Sequence, residues 1–94
     1  MPKQVVVIIQ NHSYHPATCE LDVGDEVIWE NRDHVAHTAT RTQIPTFETG
    51  LLRSGDKSSP VTFKHSSRAE RIDYVCRPHP GMTGVIVLKA DPSA

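Results

Sequence analysis

Apolar and polar residues alternate with period two over most of this chain, which is the period of a half-buried β-strand. Cys19, Leu21 and Val23 fall on one side of their segment; Thr18, Glu20 and Asp22 fall on the other. Val27 and Trp29 point one way and Glu26 and Glu30 the opposite way, while Ile72, Tyr74 and Cys76 share a face with Asp73 behind them. The runs are short and separated by clusters of Gly, Pro, Asn, Asp and Ser, the mark of an all-β sandwich. The pattern predicts strands at residues 4–10, 18–23, 26–31, 37–41, 60–64, 71–76 and 84–89, with a turn at Gly24-Asp25 between the second and third. The last strand, containing Val85-Ile86-Val87-Leu88, is apolar on both faces, as a central or loop-covered strand is. Residues 42–59 show no clear period and contain Pro45, Gly50 and Gly55; they read as one long irregular stretch. Asp91-Pro92-Ser93-Ala94 reads as a loose tail.

Composition narrows the class. Ninety-four residues make a single domain, 1–94, near the lower limit for a self-sufficient core. A net charge of −1 gives no basic excess that would point to nucleic acid. The longest apolar run, Val5-Val6-Val7-Ile8-Ile9, has strand length and falls far short of the roughly 20 residues a spanning helix needs. Met1-Pro2-Lys3 leads straight into that run, so no secretory signal is visible. Two cysteines in a chain of this size are poor grounds for a disulfide framework. Cys19, alternating with Leu21 and Val23, reads as a small core residue, and Trp29 as core packing.

The chemistry is concentrated in Tyr74-Val75-Cys76-Arg77-Pro78-His79-Pro80-Gly81-Met82-Thr83-Gly84. Cys76, His79 and Met82 place a thiolate, an imidazole and a thioether three residues apart on one loop. Soft sulfur suits Cu(I), imidazole suits copper in both its states, and a trigonal His₂Cys set with a weak axial Met is the ligand set of electron-transfer copper. The second imidazole must come from elsewhere. His37, directly before the Thr-Ala-Thr strand signal, is the choice; His34, three residues earlier, is its competitor. His12, His15, His34 and His65 otherwise read as solvated surface residues. A second metal site on His12-x-x-His15 has no carboxylate or cysteine partner to support it.

With these residues in place the chain resembles the cupredoxins, small type 1 (blue) copper proteins of the plastocyanin, pseudoazurin and amicyanin kind. The Cys76-x-x-His79-x-x-Met82 spacing is similar to the short ligand loop of the amicyanin type. The likeness extends over Tyr14-x-Pro16, Gly24-Asp25-x-Val27-x-Trp29-x-Asn31, His37-Thr38, Phe47-x-Thr49-Gly50, Gly55 and Gly84-x-Ile86-x-Leu88. It implies a Greek-key β-sandwich of seven to eight strands holding one copper ion through His37, Cys76, His79 and Met82. It further implies that the Thr38 N–H donates to the cysteine sulfur, that Asn31 ties down the His37 loop, and that a short helix occupies part of the irregular stretch. By the same resemblance the electron would leave through His79 in an apolar patch of Pro78, Pro80, Gly81 and Met82, and His79 would detach from Cu(I) and protonate at mildly acidic pH, as the His of similar short-loop sites does. Arg68, Arg71 and Arg77 form a basic rim near the copper end or are scattered surface charge.

The function the resemblance implies is a small soluble monomeric carrier, not an enzyme, that shuttles single electrons between transient redox partner proteins. It would work in a periplasm or thylakoid lumen, its signal peptide removed. The alternative on the same fold is a copper-handling protein for storage or delivery. Such proteins use Met-rich or Cys-rich segments, and this chain has two Met and two Cys. A metal-free sandwich that binds a partner leaves the ligand spacing unexplained. A domain detached from a copper oxidase or nitrite reductase would carry further His ligands in a His-Cys-His run, which is lacking here.

Overall fold

The computed structural model describes residues 3–63 and 68–90. Among them are nine strands and no helix: β1 (Gln4–Gln10), β2 (Ser13–His15), β3 (Thr18–Leu21), β4 (Glu26–Asn31), β5 (Thr40–Arg41), β6 (Phe47–Glu48), β7 (Val61–Thr62), β8 (Glu70–Val75) and β9 (Thr83–Leu88). They build two sheets, ordered β2-β1-β4-β7 and β3-β9-β8-β5-β6. Both sheets are mixed: β1 runs parallel to β4 and β3 parallel to β9, while β8 and β9 form a long antiparallel pair. The chain passes repeatedly from one sheet to the other, giving the Greek-key β-sandwich expected from the alternation.

The inward faces are those read from the sequence. Cys19 and Leu21, Val27 and Trp29, and Ile72 and Tyr74 are all buried, and Cys76 continues the inward face just beyond β8. β9 lies between β3 and β8, which accounts for apolar residues on both its faces. At the centre an aromatic cluster locks the sheets together. Trp29 stacks on Phe47 and meets Tyr74 edge-on, Tyr14 packs against Tyr74, and the Trp29 indole N–H donates to the Tyr74 hydroxyl at 3.2 Å.

Four expectations are corrected. The strand at 37–41 is only Thr40–Arg41, because the backbone before it is used otherwise. His37 forms an isolated bridge with Leu52, the Thr38 N–H points at Cys76 Sγ, and the Ala39 N–H donates to Thr49 Oγ1. Residues 42–59 contain no helix; they contain β6 and the bridging residues Leu52 and Lys57, with Gly50 and Gly55 in the left-handed region. The strand at 60–64 is Val61–Thr62; Lys64, His65 and the expected tail at 91–94 lie outside the described residues. β2 and β6 raise the strand number above seven or eight, and each is too short to display a period.

The Gly24-Asp25 turn anchors the start of the chain. Gly24 takes φ +94°, and the buried Asp25 carboxylate accepts the Lys3 and Asp22 backbone N–H groups and the Lys3 ammonium, the last at 2.7 Å. Burial pushes this carboxyl up, but the bonds from Lys3 and Asp22 outweigh it and hold its pKa at about 2, against an ordinary 3.8. A depressed folded pKa stabilises the protein above the unfolded value, and this contribution fades as pH falls through the folded one. Asp25→Asn is therefore expected to be less stable than the parent at neutral pH. The gap in urea midpoint should close between about pH 4 and pH 2; a gap unchanged over that interval would contradict the assignment.

Candidate metal centre

Two separate segments meet at one end of the sandwich. Cys76 closes the chain beyond β8, and the turn before β9 is folded tightly on itself. The Cys76 N–H donates to the Met82 carbonyl at 3.0 Å, the His79 N–H to the Cys76 carbonyl at 3.2 Å, and the Met82 N–H to the His79 carbonyl at 2.8 Å. Pro78 and Pro80 fix the backbone on either side of His79 and have no N–H to offer a thiolate. His37 arrives from the other segment, held by its reciprocal backbone bonds to Leu52. Asn31, fully buried at the end of β4, pins that segment: its amide donates to the Val35 and Leu52 carbonyls, and its oxygen accepts the Asp33 N–H.

The donor atoms converge. Cys76 Sγ lies 3.5 Å from His37 Nδ1 and 3.6 Å from His79 Nδ1, and both Cys76 and His37 are completely buried. A sulfur and a nitrogen that share one ion with bonds of about 2.3 and 2.0–2.1 Å stand roughly 3.5–3.8 Å apart, so the observed spacings fit a single first-row metal ion. Met82 is buried at the end of the same turn. His34 is exposed, so of the two candidate histidines it is His37 that reaches Cys76. Cys19 and Cys76 are both free thiols.

The surroundings orient these donors. His37 Nε2 is 2.8 Å from Asp33 Oδ2, which fixes the proton on Nε2 and turns the Nδ1 lone pair toward the sulfur. Burial pushes the Asp33 carboxyl up, but the N–H groups of His12 and Asn11 and then the His37 ring outweigh it and keep it below the usual carboxylate range. Burial, then the neighbouring His37 and His12, lowers the His79 pKa, which favours the unprotonated ring that can donate to a metal. The Thr38 N–H reaches Cys76 Sγ at 3.5 Å, and the Thr38 hydroxyl accepts the Arg77 N–H at 3.0 Å, bracing the two segments directly. From there a chain runs through Thr40 to Glu48, which is also paired with Arg77. The Tyr14 hydroxyl donates to the Thr38 carbonyl, and burial raises its pKa far enough to keep that proton in place.

The outer face departs from expectation in two ways. Met82 is only 6% exposed, so it belongs to the interior and not to a surface patch. Pro78, Pro80 and Gly81 are exposed, and Leu51, 65% exposed, joins Pro78 along a shallow depression also lined by Thr38 and Gly50. Arg71 and Arg77 are paired with Asp73 and Glu48, which offsets much of a basic rim. The residue that spacing did not reveal is His12. Its ring meets those of His37 and His79 edge-on, with centroids 5.1 and 4.9 Å away.

A β-sandwich with a buried thiol between two imidazoles, the second segment tied to the first through a threonine, defines a cupredoxin. The sequence model of the copper-binding proteins of the plastocyanin/azurin family matches residues 3–89, and the chain belongs to that family. It is 30% identical over 91 residues to amicyanin from Paracoccus denitrificans, an alignment covering 90% of this chain. The chain spans 65% of that relative's length. Among solved structures, an oxidised proline-to-glycine variant of amicyanin superposes with TM-score 0.80 at 27% identity, over 92% of this chain and 82% of the other. A copper-containing nitrite reductase from Thermus scotoductus matches with TM-score 0.77 at 26% identity, over 94% of this chain but only 22% of the reductase. Copper is the cofactor of the family, and the donor set of Cys76, His37, His79 and Met82 suits it.

Proposed function

We propose that this chain is a type 1 copper electron carrier, a single domain whose metal is held by His37, Cys76 and His79 with Met82 as axial ligand. The observation that carries this reading is the Cys76 sulfur set between two imidazole nitrogens at 3.5 and 3.6 Å. Copper bound there supplies a one-electron couple. The residues supply a fixed frame: Asp33 holds the His37 ring, Thr38 joins the two ligand segments, and the proline-flanked turn holds His79. Donors held this firmly move little when the charge at the centre changes, which favours fast electron exchange. Four protein donors leave no open position for a substrate, so the role is that of a carrier and not an enzyme.

His79 is the less buried of the two imidazoles facing the sulfur and lies between the exposed Pro78 and Pro80. This is the proposed electron path, toward transient redox partner proteins that need only a small contact. The working state of such a carrier is proposed to be a monomer in the periplasm or a thylakoid lumen. Titration of the apoprotein with Cu(II) is expected to give an intense visible Cys-to-copper band that saturates at one equivalent. One electron equivalent should bleach it, and oxidation should restore it. Weak, broad absorption alone would favour copper handling over electron transfer.

A further inference from the structure

His12 has a place at the metal centre that the four-ligand reading leaves without a role. Its ring packs edge-on against both His37 and His79, whose own centroids are 4.9 Å apart. One nitrogen from each of the three rings lies within 4.8 Å of the others. Three nitrogens sharing one ion at about 2.1 Å stand roughly 3.4–3.6 Å apart, so the set closes on an ion with movements of about an ångström. His12 is the exposed member of the set.

The position of His12 is built. Asn11 and His12 both adopt φ +55°, a conformation uncommon for non-glycine residues. Their N–H groups donate to Asp33 at 2.6 and 2.9 Å. The same carboxylate orients His37 at 2.8 Å. One acidic side chain therefore sets the turn that carries His12 and the tautomer of the deepest imidazole. Exposure falls in order along the pocket: His12 is exposed, His79 half-buried, His37 and Cys76 fully buried. An ion arriving from water meets the His12 and His79 rings before it meets sulfur.

We propose that His12, His37 and His79 form a three-histidine landing site that captures a divalent cation of the Cu(II) or Zn(II) kind before Cys76 binds it. Imidazole sets suit these ions. The inference rests on the reading of His37 and His79 as metal donors. His12 donates in the captured state; the thiolate and Met82 replace it in the final one.

Two measurements test this. His12→Asn removes the imidazole while keeping a residue that tolerates φ +55°. Stopped-flow mixing of the apoprotein with Cu(II) is expected to show the visible band appearing at least several-fold more slowly in His12→Asn than in the parent. In a Cys76→Ser background, which has no thiolate, Zn(II) should bind with one-to-one stoichiometry, and adding His12→Asn should weaken it by roughly tenfold or more. Equal uptake rates, or equal Zn(II) affinities in the two backgrounds, would overturn the landing site. If that happens while the parent keeps its intense band, only the landing site is lost. A parent that binds copper without the band loses the electron-carrier reading as well.

Discussion

Cys76→Ala is expected to give a colourless copper complex. The intense visible absorption of a type 1 site is charge transfer from thiolate sulfur to copper, and Cys76 Sγ is the sulfur that faces both imidazoles. The other cysteine, Cys19, lies on β3, and burial raises its thiol pKa, which makes it a poor thiolate donor. Cys19→Ala should therefore keep the band at full intensity, and this pair of variants separates ligation from a general effect of removing a cysteine. The alanine chain retains the imidazoles, so any Cu(II) it binds should show only weak bands and the larger copper hyperfine splitting of a nitrogen-ligated ion. An intense band surviving in Cys76→Ala would mean that the sulfur is not a ligand and that the centre has been misassigned.

How far the sequence alone could reach depended on how local each feature is. Cys76, His79 and Met82 lie on one loop, so their donor chemistry is visible from spacing. His37 is remote in sequence, but a strand signal beside it set it apart from His34. Asp33 and His12 offered no such handle. They come together only because β1 pairs in parallel with β4, which lays the turn at Asn11-His12 against the segment after Asn31. No local period encodes that contact. The strands of four to seven residues were legible because alternation needs several residues to show, and because Leu21, Trp29, Ile72 and Tyr74 each had a clear inward side. β6, two residues long, could not be read that way; its Phe47 is buried by stacking on Trp29 from across the sandwich. The absence of a helix in 42–59 has the same origin. Leu52 and Lys57 pair with His37 and Glu30, partners far away in the chain. The burial of Met82 was also hidden, since a loop methionine looks equally suited to a surface patch.

Gly84→Ala is expected to be the most damaging single-methyl addition near the centre. Gly84 faces Tyr74 across the β8–β9 pair, and the phenol ring lies directly over its Cα. A Cβ placed there would run into Cζ and the hydroxyl oxygen of Tyr74 and come within 2.9 Å of Cε1. Tyr74 has little freedom to yield. Its hydroxyl accepts the Trp29 indole N–H, Tyr14 packs on it at 4.7 Å, and Phe47 stands at 5.7 Å. Overpacking of this kind costs about 1–3 kcal/mol, occasionally more, and the upper part of that range applies where the blocking group is itself hydrogen-bonded in a full core. Urea unfolding of the apoprotein should show the loss as a lower midpoint with an unchanged slope. Removing the obstacle tests the cause. Tyr74→Leu should destabilise the parent by emptying part of the aromatic cluster, yet adding Gly84→Ala to it should cost far less than in the parent, because the methyl then enters vacated space. Strictly additive costs would show that the contact with Tyr74 is not what excludes a side chain at position 84. The strain also has a route to the metal. Gly84 stands two residues after Met82, and Tyr74 two residues before Cys76, so a ring forced aside moves both ends of the ligand turn. In the copper-loaded Gly84→Ala protein the visible band should therefore change in position or relative intensity, whereas a purely distant packing defect would leave it as it is in the parent.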